Sequence, residues 1–342
     1  MGHRANFVLV DEAGWRLYYS HWAAVRIRSV LAPGPQAATR FIAAQRLCRD
    51  RERDWLDDVW AEGGAVVDHL TRRLIFYGDD LTLDLPAKRV FLRLLELTWP
   101  GWSIRWAYDG LGDLAAHVGV DRRVVRSIDE DARRLPKELH TDPDWPCHLL
   151  TVRDESGGVT AYPFLEDCHT AWQGPALLER LTVRGLDRLE LPELPVSGLH
   201  LDLADRTAGV WLGGTGTGLV PALRELWPGW RVCFWEDRYE EQRRRCAGAV
   251  VFPPPGDDLA LLDELMGSLE RSLGRDPVPA MLDAVRRHAA EEGKRVELNP
   301  LFTAHRQVDP QAAEWAALLR AAARLRTLLE NRGPSAGTLS GP

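Results

Sequence analysis

Three clusters in this 342-residue chain carry side chains or backbone groups that could do chemistry. The first is Gly213-Gly214-Thr215-Gly216-Thr217-Gly218, which follows the strand-like Val210-Trp211-Leu212 and precedes a helix predicted to begin near Val220. Strand, glycine loop and helix N-terminus together cradle phosphate through backbone N–H groups, so Gly214, Gly216 and Gly218 are candidate ligand-binding positions. Against this, no Lys-Ser/Thr pair follows and no parallel βαβ pattern surrounds the loop. A mobile connection is the competing expectation.

The second cluster is Tyr18-Tyr19-Ser20-His21-Trp22. Strand alternation puts Tyr19 and His21 on one face and Ser20 on the other, which disfavours Ser20 and His21 as a nucleophile and its base. Tyr19 and His21, with Asp68 from a second hairpin, form the candidate catalytic group; a core-facing aromatic strand is the alternative. The third cluster is Cys147-His148 and Cys168-His169, two dipeptides that bracket one hairpin. With the turn near Ser156 both reach the same open end and offer up to four ligands to zinc. Adjacent strand residues point to opposite faces, so buried cysteines with incidental histidines compete with that reading. The sequence implies no other cofactor.

The elements that must position these residues are arranged around a repeated phrase, Trp99-Pro100-Gly101-Trp102 and Trp227-Pro228-Gly229-Trp230. Pro presets φ for the second position of a tight turn and Gly supplies the positive φ of the third. Each copy follows the apolar end of a helix and precedes a strand-like run. It therefore reads as a structural clamp, with an aromatic slot for a sugar or peptide as the alternative. Around each copy the order is ββαββα, the turn, a strand and a helix, with Asp68 aligned to Asp202, Arg72 to Arg206, Tyr77 to Trp211 and Asp109 to Asp237. Gly34-Pro35 and Gly174-Pro175 each precede a helical stretch.

The expected fold class is α+β: two tandem pseudo-repeated units over 1–135 and 147–252, a Pro-rich linker over 136–146, a C-terminal helical segment over 253–332 and a disordered tail over 333–342. Within the first unit, Phe41, Cys48, Trp55 and Val59 recur at helical spacing and predict one long helix, with Arg49 to Asp54 as its solvated middle. Residues 121–134 are expected to be helical. In the C-terminal segment, helices are predicted over Leu259 to Leu273 and Met281 to Ala290, and in a last helix Trp315, Leu318, Leu319, Ala322, Leu325 and Leu328 form the apolar stripe.

The formal charge of -7 gives no attraction to phosphate backbones or anionic lipids, so neither nucleic acid nor membrane is the expected partner. No apolar run approaches the roughly 20 residues that span a bilayer, and the N-terminus lacks a signal-peptide pattern. Five cysteines without CxxC spacing argue against a disulfide framework, and the expected location is cytoplasmic. Only Lys88, Lys137 and Lys294 are lysines in an Arg-rich chain, as a GC-rich bacterial genome would write it. Fourteen tryptophans in an acidic chain, without a nucleophile or acid–base signature, favour a non-catalytic binding protein for a protein partner, with Trp22, Trp106 and Trp235 as anchors and a regulatory or immunity-type role. The alternative is an enzyme or a small-ligand or nucleotide sensor using the glycine loop or a cleft around Tyr19 and His21.

Overall fold

Apolar alternation in the first hairpin becomes β1 (Ala5–Asp11) and β2 (Gly14–Ser20), paired antiparallel across a two-residue turn. The computed structural model describes residues 3–78, 81, 84–127, 139–165, 169–294 and 300–331. A 3-10 turn (Ala24–Arg26), α1 (Ile27–Leu31) and α2 (Pro35–Ala44) follow, then a short edge strand β3 (Arg46–Leu47). The second hairpin is β4 (Gly63–Asp68) and β5 (Arg73–Gly78). Helix α3 (Leu85–Thr98) starts at Asp84, whose carboxylate accepts from Ala87 N, and it buries Val90, Phe91, Leu94 and Leu95. Strand β6 (Ser103–Trp106), α4 (Leu111–His117) and a 3-10 turn (Arg122–Val125) complete this part.

The chain then runs through β7 (His148–Arg153), β8 (Val159–Phe164), a 3-10 stretch (Thr170–Ala176), α5 (Leu177–Arg180) and a short β9 (Leu189–Glu190). Next come β10 (Ser197–Asp202), β11 (Thr207–Leu212), α6 (Leu219–Leu226), β12 (Arg231–Phe234), α7 (Glu240–Arg245) and β13 (Val250–Val251), which pairs with β9. The larger sheets read β3-β2-β1-β4-β5-β6 and β12-β11-β10-β7-β8. Within each, the pairing directions are the same: hairpins are antiparallel, while β1 with β4, β5 with β6, β7 with β10 and β11 with β12 are parallel. The fold is α+β, with two mixed sheets and C-terminal helices.

The Trp-Pro-Gly-Trp corners explain how helix and strand meet. Gly101 and Gly229 have φ of 76° and 78°, the left-handed conformation the turn demands. The first indole of each is buried and donates inward: Trp99 Nε1 to Leu31 O at 2.8 Å, Trp227 Nε1 to Ala171 O at 2.9 Å. The second ring lies edge-on to the first, with centroids 4.9 and 5.2 Å apart. Gly34 and Gly174, also at positive φ, press against the carbonyls just before these tryptophans, Thr98 O and Leu226 O, where a Cβ would collide. Both Gly-Pro dipeptides thus serve the same corner.

The C-terminal helices α8 (Asp258–Ser272), α9 (Pro277–Glu291) and α10 (Ala312–Glu330) complete the described chain. Helices α8 and α10 pack on α3 and on each other, and their buried residues join the core of the first sheet. Ion pairs from Arg40 to Glu314 and from Arg93 to Asp258 reinforce the contact. On α10 the buried stripe is Leu318, Ala321, Ala322, Leu325 and Leu329; the expected Leu319 and Leu328 are exposed, as is Met281 on α9. No described helix is long and apolar enough to cross a membrane.

The long helix expected through Phe41 to Val59 is not formed. Helix α2 stops at Ala44, Arg46 and Leu47 pair with Tyr19 and Tyr18, and Cys48 N donates to Leu17 O. Beyond it Asp54 accepts from the amides of Arg49 and Asp50, and Asp50 from those of Glu52 and Arg53. Aspartate side chains that capture nearby amides compete with helix, and the helical spacing of four apolar residues is coincidental. Residues 128–138 of the expected helix and linker, and the tail, lie outside the described residues.

The corners make a test by substitution. Trp99→Phe and Trp227→Phe keep an aromatic ring but lose the buried indole bond, to Leu31 O (which keeps Gly34 N as a donor) and to Ala171 O, so each is expected to cost about 0.5–1.5 kcal/mol in urea denaturation. Trp230→Phe, in the half-buried position, is expected to cost less. Equal costs at the buried and half-buried positions would remove the special role of the inward bond.

Candidate functional site

The glycine loop lies against the first sheet's last strand and the residues that follow it. Four of its backbone groups meet partners from the first unit, while Gly213 N donates to Val196 O and Gly216 O accepts from Leu219 N. Gly213 O accepts from Lys88 Nζ, Gly214 O from Trp106 Nε1 at 3.1 Å, and Gly216 N donates to Tyr108 O at 2.8 Å. Gly218 N, at the start of α6, donates to Asp109 Oδ1 at 2.6 Å. The helix N-terminus does hold an anion, and the anion is the protein's own carboxylate. Asp109 is 1% exposed and also meets Arg122 and Arg126, while burial pushes its carboxyl above the ordinary range against the pull of Arg126. Of the three candidate ligand-binding glycines, Gly214 contributes a carbonyl and Gly216 and Gly218 contribute amides to this internal seam.

The seam is reciprocal. The aligned Asp237 reaches back to the first turns of α3, where its carboxylate lies 3.3 Å from Lys88 Nζ and 3.5 Å from Arg89. Arg89 also pairs with Glu240 at 2.6 Å, and the rings of Tyr108 and Phe234 meet edge-on at 5.1 Å. Lys88 is fully buried, and its Nζ lies 4.8 and 5.4 Å from the ring centroids of Trp106 and Tyr108. Desolvation pushes its pKa down to about 8, with Asp237 opposing the fall. Sequence reasoning missed Lys88, although its rarity was a signal: a chain with three lysines that carries arginine elsewhere has a lysine where a compact ammonium fits.

Tyr19 and His21 share a face as alternation predicts, with Tyr19 Oη 2.7 Å from His21 Nδ1. Both are buried, each 7% exposed. Segment 300–306 covers them: Phe302 packs on the rings of His21 and Trp22, Trp22 Nε1 donates to Phe302 O, and His21 N donates to Ala304 O. Ser20, fully buried, meets His305 Nδ1 at 2.9 Å. Ser20 and His305 are both buried and lie 285 positions apart, a contact that no local pattern shows. Asp68 stands at the other end of the sheet. Ala5 pairs with both Ser20 and Gly63, whereas Asp68 pairs with Val10, about five residues or roughly 17 Å along the strand. Its carboxylate caps its own turn through Leu70 N, Thr71 N and Thr71 Oγ1, and accepts from His117 at 2.8 Å. The three do not form a catalytic group.

At the proposed zinc position, His148 Nδ1 bonds to Ser197 Oγ, and His169 Nδ1 accepts from Ala171 N at 3.0 Å, capping a 3-10 stretch. Burial, with His148 beside it, pushes His169 well below its ordinary value. Cys147 N donates to Phe164 O, and Cys168 lies outside the described residues. Among the described residues no group of three or more His, Cys, Asp or Glu could hold a metal ion. The expected partner anchors Trp22, Trp106 and Trp235 are 2%, 3% and 5% exposed, so they are core residues and not surface anchors.

A buried polar network distinguishes the second sheet. Gln242, fully buried on α7, donates to Leu149 O, Thr151 Oγ1 and Leu199 O and accepts from Trp211 Nε1 at 2.6 Å; Thr151 Oγ1 meets His200 Nδ1 at 2.9 Å. Its counterpart in the first unit, Leu114 on α4, five residues past Asp109 as Gln242 is five past Asp237, is apolar and fully buried. Large apolar residues are exposed at several places, Trp145 most of all at 69%, and three of them are close in sequence or joined by a bond. Val59, Trp60 and Val124 are 60%, 54% and 45% exposed. The bond from Asp58 N to Val125 O brings their two turns together, and the Arg4 guanidinium lies 4.5 Å over the Trp60 ring. No family model, curated protein or solved structure matches the chain.

Two measurements test the seam and the buried histidines. Lys88→Met removes the buried donor to Gly213 O, while Asp237 keeps Arg89; Asp109→Ala removes the acceptor of the Gly218 amide, while Arg122 keeps Asp113 and Arg126 keeps Asp58. Each is expected to cost about 1–3 kcal/mol, whereas Arg326→Ala, at the exposed pair with Asp263, changes little. Burial lowers His200 and His305 from 6.5 to about 4. The unfolded chain then binds more protons between those values, so stability is full above pH 6.5 and falls toward pH 4, by up to about 1.4 kcal/mol per pH unit for each histidine. Urea midpoints from pH 7 to 5 should fall less steeply for His200→Asn than for the parent; identical slopes would contradict the assignment.

Proposed function

We propose that this is a non-catalytic binding protein that engages a protein partner through the end of the first sheet carrying Trp60, Val59, Val124 and Arg4. One observation carries the reading: the Trp60 indole, 54% exposed, stays on the surface beneath the Arg4 guanidinium, whereas Tyr19, His21 and the glycine loop bond internally. Trp and Arg are the residues that most often anchor protein interfaces, and a ring held by a stacked cation loses little freedom on binding. The acidic chain gives no reason to expect a nucleic acid there. A regulatory or immunity-type role in the cytoplasm fits such a surface. The partner anchors expected from sequence move from Trp22, Trp106 and Trp235 to Trp60.

Affinity capture from the native host compares the parent protein with Trp60→Asp, after thermal melts establish equal stability. The parent should retain a stoichiometric partner whose affinity drops by at least about 30-fold in the variant, the size of a hot-spot loss. No stoichiometric partner, or equal retention by both proteins, would overturn the proposal.

A further inference from the structure

The first Trp-Pro-Gly-Trp corner borders an open groove of about 660 Å³, within the size range of small-molecule sites. Its walls come from four places far apart in sequence: Gln36 at the start of α2, His69 and Arg72 in the β4–β5 turn, Trp102 of the corner, and Glu314 and Ala317 on α10. We propose that this groove binds a compact ring-bearing monocarboxylate, through Arg72 to the carboxylate and Trp102 to the ring.

Charge decides the sign of the ligand. Glu314 forms two 2.5 Å bonds with Arg40 and also accepts from Gln311 N, so its charge is neutralised within the wall. Arg72 is exposed, lies beside Gly101 of the corner and has no ion-pair partner among the described residues. The wall therefore presents one uncompensated guanidinium, whose planar fork matches a carboxylate. A single such cation suits a monoanion and not a polyphosphate. Shape decides the body: Trp102 is half-buried, steadied edge-on by Trp99 and by His69, whose ring is 5.3 Å away and whose Nε2 bonds to Thr39 Oγ1 at 2.8 Å. An indole held in this way offers a fixed platform for a ring, and Gln36 adds donor and acceptor capacity at the rim.

The second corner supplies an internal control. Arg206 and Trp230 occupy the positions of Arg72 and Trp102, but Leu203 replaces His69, and the helix that walls the groove, α10, packs on α3. The groove also lies past the end of β4 opposite to Trp60, so this proposal and the protein-binding proposal stand or fall separately.

Calorimetric titration of the full chain with glucuronate and with 4-hydroxybenzoate tests it, with glucose and phenol as neutral counterparts. At least one carboxylate should bind saturably at millimolar concentration or below while its neutral counterpart does not, and the arm that binds identifies a sugar ring or an aromatic one. Arg72→Gln should weaken that binding by about tenfold or more, and Gln36→Glu should weaken it by repulsion, while Arg206→Gln leaves it unchanged. Both positions are exposed, and thermal melts check that the variants fold. Absence of binding by both carboxylates, equal binding of the neutral compounds, or affinity that survives both Arg72→Gln and Gln36→Glu would overturn the proposal.

Discussion

The Asp109 carboxylate at the N-terminus of α6 is the interaction on which the arrangement of the two sheets depends. A helix start with unsatisfied N–H groups and a run of glycines attracts an anion, and a protein that supplies the anion itself turns a binding feature into a joint. Here Asp109 fills the Gly218 position and is itself held by Arg122 and Arg126. Asp237 makes the return contact with Lys88 and Arg89 on α3. Such buried charges are costly to desolvate, and they persist because every member has a partner. They make the joint specific: an apolar seam of the same size would tolerate sliding, whereas a carboxylate aimed at one backbone N–H does not.

Each sheet then carries its own load at the tryptophan corner. The turn reverses the chain, the first indole bonds to the carbonyl of a preceding helical segment, and a Gly-Pro dipeptide comes close enough to the helix end that no side chain fits. The first corner differs from the second in being overlaid by α10, which closes one side of a groove and leaves Trp102 and Arg72 on its wall. The strap through Phe302 to His305 has the opposite effect at the far end of the sheet, closing over Tyr19 and His21.

Much of this was legible in the sequence. Strand alternation located the hairpins and put Tyr19 and His21 on one face, and the repeated tetrapeptide marked equivalent corners, because both signals are local. The helix through Cys48 and Trp55 failed because spacing alone carries no account of aspartates that cap turns. The glycine loop misled because its sequence fits a cradle regardless of what fills it; Asp109, 109 positions away, decides that. Ser20 with His305, and Gln242 with three strands, are likewise set by tertiary contact. Tryptophan number said little about surface, since large rings belong to cores as readily as to interfaces.

The seam is tested most directly by native-state hydrogen exchange of the Gly216 and Gly218 amides. If the glycine loop is the joint between the sheets, both amides should exchange only through the opening that exposes the core amides of β10 and β11, with protection near the global unfolding free energy. Exchange at the rate of an unstructured chain would show the loop to be free, and would contradict the account.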